Sequence, residues 1–129
     1  MNLFQTFQTK SETMNGNKGR LKIHPGKEGT LKAATDKGRE LLGRYLEEDV
    51  QESSSHCHEL LAAIERIASM DEERWEQTGN AHTVILEKDG ATIESEMDEG
   101  CEPLHLTLDE FRVAVQTWLA SIVRREGAS

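Results

Sequence analysis

Along the last third of the chain the apolar positions recur first with period two and then with helical period. Ala81–Glu87 (AHTVILE) is β-branched and apolar at its centre, which suits a pleated strand. Lys88-Asp89-Gly90 follows, and an Asp-Gly step supplies the positive φ angles of a tight hairpin turn. Ala91–Met97 then alternates, with Ala91, Ile93, Ser95 and Met97 on one side and Thr92, Glu94 and Glu96 on the other. That pattern predicts a strand with one buried and one solvated, acidic face. After a loop over Asp98–His105, Thr107 and Glu110 stand in capping-box spacing, each placed to satisfy an orphaned backbone donor of the other. Leu108, Phe111, Val115, Trp118, Leu119 and Ile122 continue as a helical stripe, and Arg124 and Arg125 favour its C-terminal end.

Towards the start, Asn2–Thr9 reads as a strand, Met14–Gly19 as an Asn/Gly-rich turn and Arg20–His24 as a return strand. In that return strand Leu21 and Ile23 oppose Arg20, Lys22 and His24, and Pro25-Gly26 ends it. From Thr30, a plausible N-cap, the period becomes helical through Leu31, Ala34, Leu41, Leu42, Tyr45 and Leu46. Gly38 and Gly43 weaken such a helix by about 1 kcal/mol each, or else permit close packing. Glu47-Glu48-Asp49 puts negative charge at the wrong end of the helix dipole, which predicts a stop or kink. Ser53–Ser55 open a second stripe of Cys57, Leu60, Leu61, Ile64, Ile67 and Ala68. Residues 30–70 are therefore two helices, or one helix broken near Asp49. The predicted fold is α+β, one antiparallel sheet built from two hairpins with helices packed on one face. It forms a single domain over residues 1–129, made of a hairpin (2–24), a helical middle (30–70) and a C-terminal hairpin and helix (81–124).

Length and charge sharpen this. A chain of 129 residues supports one modest core. It contains no run of about 18 apolar residues and no signal-peptide pattern, so a soluble, cytoplasmic protein without a membrane partner is expected. Cys57 and Cys101 then read as reduced thiols. Residues 1–45 carry nine Lys/Arg against four Asp/Glu (+5), and residues 46–129 carry six against twenty (−14), giving −9 in all. So acidic a back half repels phosphates and argues against a nucleic-acid partner. It favours a cationic protein, because complementary fields speed encounter and set register.

Three constellations offer chemistry. His56, Cys57, His58, Cys101 and His105 are zinc-type ligands, but helical neighbours point about 100° apart and cannot share one ion. No nucleophile elbow or Gly-rich phosphate loop marks an active site. The expectation is accordingly no metal, no cofactor and no enzymatic activity. The third is an acidic surface of Glu94, Glu96, Asp98, Glu99 and Glu102, with Glu72, Glu73 and Glu76 upstream, which would pair with Lys and Arg of a partner. Trp75 and Trp118 read as core. No pattern speaks to oligomeric state.

Arg74-Trp75-Glu76-Gln77-Thr78-Gly79-Asn80, Thr83-Val84-Ile85-Leu86, Asp89-Gly90 and Leu106-Thr107-Leu108-Asp109-Glu110-Phe111 together resemble the YacL-like family of small bacterial proteins. The chain is also similar in look to immunity proteins of contact-dependent growth inhibition systems. The resemblance implies a non-catalytic protein that binds and neutralises the C-terminal nuclease domain of a cognate toxin. The alternative it implies is a housekeeping protein with an interaction role.

Overall fold

The computed structural model describes residues 21–26 and 29–128. The strand expected over Asn2–Thr9 and the turn over Met14–Gly19 lie outside them. Among the described residues, two antiparallel sheets and three α-helices make an α+β fold. The first sheet is a two-stranded ribbon of β1 (Leu21–Pro25) and β2 (Leu31–Thr35), with Ile23 opposite Ala33. The second is a four-stranded meander of β3 (Arg74–Thr78), β4 (His82–Glu87), β5 (Gly90–Ser95) and β6 (Leu104–Leu106), each strand paired with the next. Between the sheets in sequence come α1 (Glu40–Tyr45), a π-helical turn (Leu46–Val50) and α2 (Ser54–Ala68). The described chain closes with α3 (Leu108–Ala128).

The strand expected over Arg20–His24 pairs with Leu31–Thr35 in a two-stranded sheet of its own, so the described strands do not form the single sheet expected. Leu31–Thr35 is a strand where the apolar spacing predicts helix. Its residues are good helix formers, but pairing with β1 overrides that weak preference. The outer edge of β2 is then covered rather than left to a further strand. Glu47 Oε2 accepts from Ala33 N at 2.7 Å and Glu52 Oε2 from Leu31 N at 3.4 Å. These carboxylates stand where the carbonyls of a neighbouring strand would be. Gly43 allows α1 to come this close, since a Cβ there would lie 3.3 Å from Ala33 O. Close packing is thus the use of Gly43. Gly38 sits outside any helix, at φ +92°, in the turn before α1.

The break near Asp49 is real and takes the form of the π-helical turn, ended by Gln51. Its acidic run also has structural work, for Glu47 holds β2 and Asp49 holds the β3–β4 turn. Ser53 caps α2 by accepting from His56 N at 3.1 Å. The capping box of α3 forms in both directions, Glu110 N to Thr107 Oγ1 and Thr107 N to Glu110 Oε1, each at 2.9 Å.

The stretch before the C-terminal hairpin is itself a strand, β3, and the loop expected over Asp98–His105 contains most of β6. A two-residue turn, Lys88-Asp89, joins β4 to β5, and of its neighbourhood only Gly90 has positive φ, at +148°. Val84, Leu86, Ala91, Ile93 and Leu106 form the inner face of the meander. They share one apolar cluster with Leu42, Leu46, Leu60, Ile64, Phe111, Val115, Trp118 and Ile122 from the helices. Trp118 is fully buried and its Nε1 donates to Gln51 O at 2.6 Å; Trp75 is half-buried against the same cluster. Met97, expected to extend the inner stripe of β5, lies beyond its end and is exposed.

Candidate functional site

Strand alternation gives the meander an outer face opposite its core face. One cross-strand row is Glu76, Ile85, Thr92 and His105, and the next is Thr78, Thr83 and Glu94. Arg74 and Glu87 pair at the end nearest the β4–β5 turn. Arg74, Glu76, Thr78, Glu87 and His105 are exposed, while Ile85, Thr92 and Glu94 are half-buried. Hydroxyls knit the surface: Thr78 and Thr83 share a hydrogen bond of 2.8 Å, Thr83 Oγ1 donates to Glu96 Oε2 at 2.6 Å, and Thr92 Oγ1 meets His105 Nδ1 at 3.0 Å. Arg74 reaches Glu76 at 2.8 Å and Glu87 at 3.7 Å. Arg74 thus pairs with two of the four carboxylates on this face, Glu76 and Glu87, while Glu94 and Glu96 lie towards the other end of the strands. Such exposed pairs contribute little stability.

The eight carboxylates expected to act together are brought together only in part. Glu76, Glu94 and Glu96 share the outer face. Asp98, Glu99 and Glu102 stand on the exposed loop between β5 and β6. Asp98 Oδ1 accepts from Gly100 N at 3.0 Å, and the loop meets α1 where Arg44 Nη2 comes 3.9 Å from Cys101 Sγ. Glu72 and Glu73 precede Arg74, and so lie at the other end of the sheet, where Glu72 pairs with Arg66 at 2.7 Å. Glu87, which belongs to the face, was missed. The signal was present: Arg74, Glu76 and Thr78 alternate with Trp75 and Gln77, and recognising that strand aligns Glu87 opposite Arg74.

The zinc-type residues are scattered. His56 Nε2 bonds Gln77 Oε1 at 2.8 Å beside β3, Cys57 is buried, and His105 is on the outer face. Among the described residues no three His, Cys, Asp or Glu are grouped as a metal would need.

A second polar cluster lies inside the core. Asp49 Oδ1 lies 3.0 Å from His82 Nδ1, and its carboxylate also accepts from Ala81 N at 3.1 Å and His82 N at 3.0 Å. The two side chains are 0 and 2 % exposed, which closes them to a substrate and makes them a clasp between the π-helical turn and the β3–β4 turn. Gly79 leaves the necessary room, since a Cβ there would collide with the Asp49 carboxylate. Tyr45 packs edge-on against His82 with ring centroids 6.1 Å apart. Its hydroxyl is buried without a hydrogen-bond partner among the described residues. Burial first, then the Asp49 carboxylate, pushes its pKa far above the usual tyrosine value.

The candidate site is therefore a sheet face carrying four carboxylates, on an α+β domain. Comparison places the chain in a family: residues 22–110 match the profile of the uncharacterised protein family UPF0231, and the chain belongs to it. It is 28% identical over 112 residues to a UPF0231 protein of Aliivibrio salmonicida, covering 75% of this chain and 91% of that protein. A UPF0231 protein of Aliivibrio fischeri is 29% identical over the same length and coverage. No solved structure gives a comparable match. This membership corrects the YacL-like and immunity-protein resemblance drawn from the C-terminal motifs. Those motifs are a turn, a cap and core positions, which many small α+β proteins need for the same physical reasons. Among the described residues no helix is long and apolar enough to cross a membrane.

Proposed function

We propose that the protein is a non-catalytic binding protein that takes a cationic protein partner on the outer face of its meander. The observation that carries this reading is the face itself, with four carboxylates against one arginine around the half-buried Ile85. Charge of one sign steers encounter and sets orientation, and an apolar centre adds the contact that holds. Asp98, Glu99 and Glu102 extend the field past one end of the sheet, and Glu72 and Glu73 past the other. A toxin nuclease domain, Lys/Arg-rich because it grips phosphates, fits this sign, and stoichiometric binding would block its path to substrate. The second reading is an interaction role without a toxin.

The test is capture of partners on the tagged protein, followed by association kinetics at rising salt. Reversing Glu76, Glu94 and Glu96 together to Lys should slow association by roughly tenfold or more and abolish its salt dependence. Unchanged binding by that triple variant removes the face from the reading. Co-expression with a nuclease toxin domain encoded beside its gene separates the two forms: rescue of growth supports neutralisation, and toxicity without rescue leaves the other.

A further inference from the structure

The π-helical turn ends at Gln51 in an unusual way. Its backbone lies at φ 57° and ψ −139°, close to a region that is essentially glycine's and is strained for a residue with a side chain. Ending a helix does not require this. Met70, after α2, has a comparable φ of 67°, with Met70 N donating to Ile67 O and Asp71 N to Arg66 O as in an ordinary helix stop. Gln51 is held in place by three bonds: its N donates to Leu46 O at 2.7 Å, its O accepts from Trp118 Nε1 at 2.6 Å, and its Nε2 donates to Glu48 O at 2.9 Å. Both π-helical turns and over-determined backbone strain concentrate where a fold shapes a site.

Here they shape the wall of a hollow of about 230 Å³ between the start of β2, the π-helical turn and Trp118 of α3. Lys32, Glu47 and Glu52 line it together with Gln51 and Trp118. Each glutamate spends Oε2 on a β2 amide, and Glu52 Oε1 pairs with Arg125 at 3.3 Å. Glu47 Oε1 and the Lys32 ammonium form no hydrogen bond or ion pair among the described residues. The hollow thus offers an unspent cation and an unspent carboxylate oxygen within a space of amino-acid size. A simple anion entering it would meet two glutamates, and a simple amine would meet the lysine. Only a ligand carrying both charges meets both.

We propose that this hollow binds a small zwitterion of amino-acid size, its carboxylate towards Lys32 and its ammonium towards Glu47 and Glu52. The outer face of the meander takes no part in this binding.

Thermal unfolding of the full chain with each of the twenty L-amino acids, and with methylammonium and acetate, tests it at about 10 mM, a range that detects millimolar affinity. At least one amino acid should raise the melting temperature and shift the amide resonances of Leu31, Lys32, Gln51 and Glu52, while methylammonium and acetate do neither. Lys32→Ala, at an exposed position, should keep the fold by circular dichroism and weaken binding at least about tenfold. Glu47→Gln, which retains an acceptor for Ala33 N, should do the same. The proposal is overturned if no amino acid acts, if methylammonium or acetate alone acts as strongly, or if either folded variant binds like the parent.

Discussion

Asp49 and His82, thirty-three residues apart, meet inside the core with Asp49 Oδ1 3.0 Å from His82 Nδ1. The carboxylate also takes the backbone N–H groups of Ala81 and His82, so one side chain fastens the end of the helical middle to the start of β4. A buried carboxylate is tolerated when donors surround it, and here three do.

Asp49→Ala should therefore be among the most destabilising single changes, costing about 3–5 kcal/mol, because it strands two buried donors of His82 and the part-buried N–H of Ala81. Urea unfolding measures it. A loss under 1 kcal/mol would mean that the clasp contributes little.

Tyr45→Phe should have the opposite sign. The Tyr45 hydroxyl is desolvated and has no partner among the described residues, so removing it while keeping the ring should stabilise by about 1 kcal/mol, or roughly 3 °C in Tm. The ring contacts with His82 and Phe111 remain. A destabilised variant would show that the hydroxyl is satisfied in solution.

The two thiols should differ in kind. Cys57 is fully buried, and burial pushes its pKa from 9.0 up to about 11, whereas Cys101 is partly exposed. A thiol reagent should titrate one group quickly in the native protein and the second only on unfolding. A pKa raised in the folded state means that the native protein holds its proton longer than the unfolded chain does. The associated stability is intact below pH 9 and lost as pH rises towards 11. Cys57→Ala should flatten that alkaline decline, and an unchanged slope would assign it to other groups.

Glu110 supplies the acid limb. Burial alone would raise its pKa, but the backbone hydrogen bond from Thr107 and the charge of Arg39, 3.3 Å away, outweigh it and hold the value below the ordinary 4.5. A depressed pKa stabilises above the unfolded value and is lost as pH falls through the folded one. Glu110→Gln should reduce the loss of stability below about pH 4.5, relative to the parent. Thr107→Ala should cost about 1 kcal/mol near neutrality through the lost cap. A parent-like acid limb in Glu110→Gln would remove this carboxylate from the account.

Local chemistry was legible wherever a few adjacent residues decide the outcome. The Thr107/Glu110 box, the Ser53 cap, the β4–β5 hairpin and the stripe from Phe111 to Ile122 are contained within their own segments, and each formed as its spacing implies. Leu31–Thr35 was not legible, because its helix-compatible residues become a strand only once β1 and the Glu47 and Glu52 carboxylates are beside it. The candidate face was half legible. Glu94 and Glu96 follow from the alternation of β5, but their association with Glu76 and Glu87, and separation from Glu72 and Glu73, depend on β3 joining the sheet.

By itself the sequence determined the sign of the surface, where α2 and α3 begin, and which faces of β5, α2 and α3 are apolar, since these depend on composition and on periods of two and 3.6 residues. The tertiary structure decided that the hairpins stay in separate sheets, which carboxylates share a face, and that Asp49 belongs to His82. Those outcomes rest on contacts between residues many positions apart, and only the packed chain brings such groups within hydrogen-bonding distance.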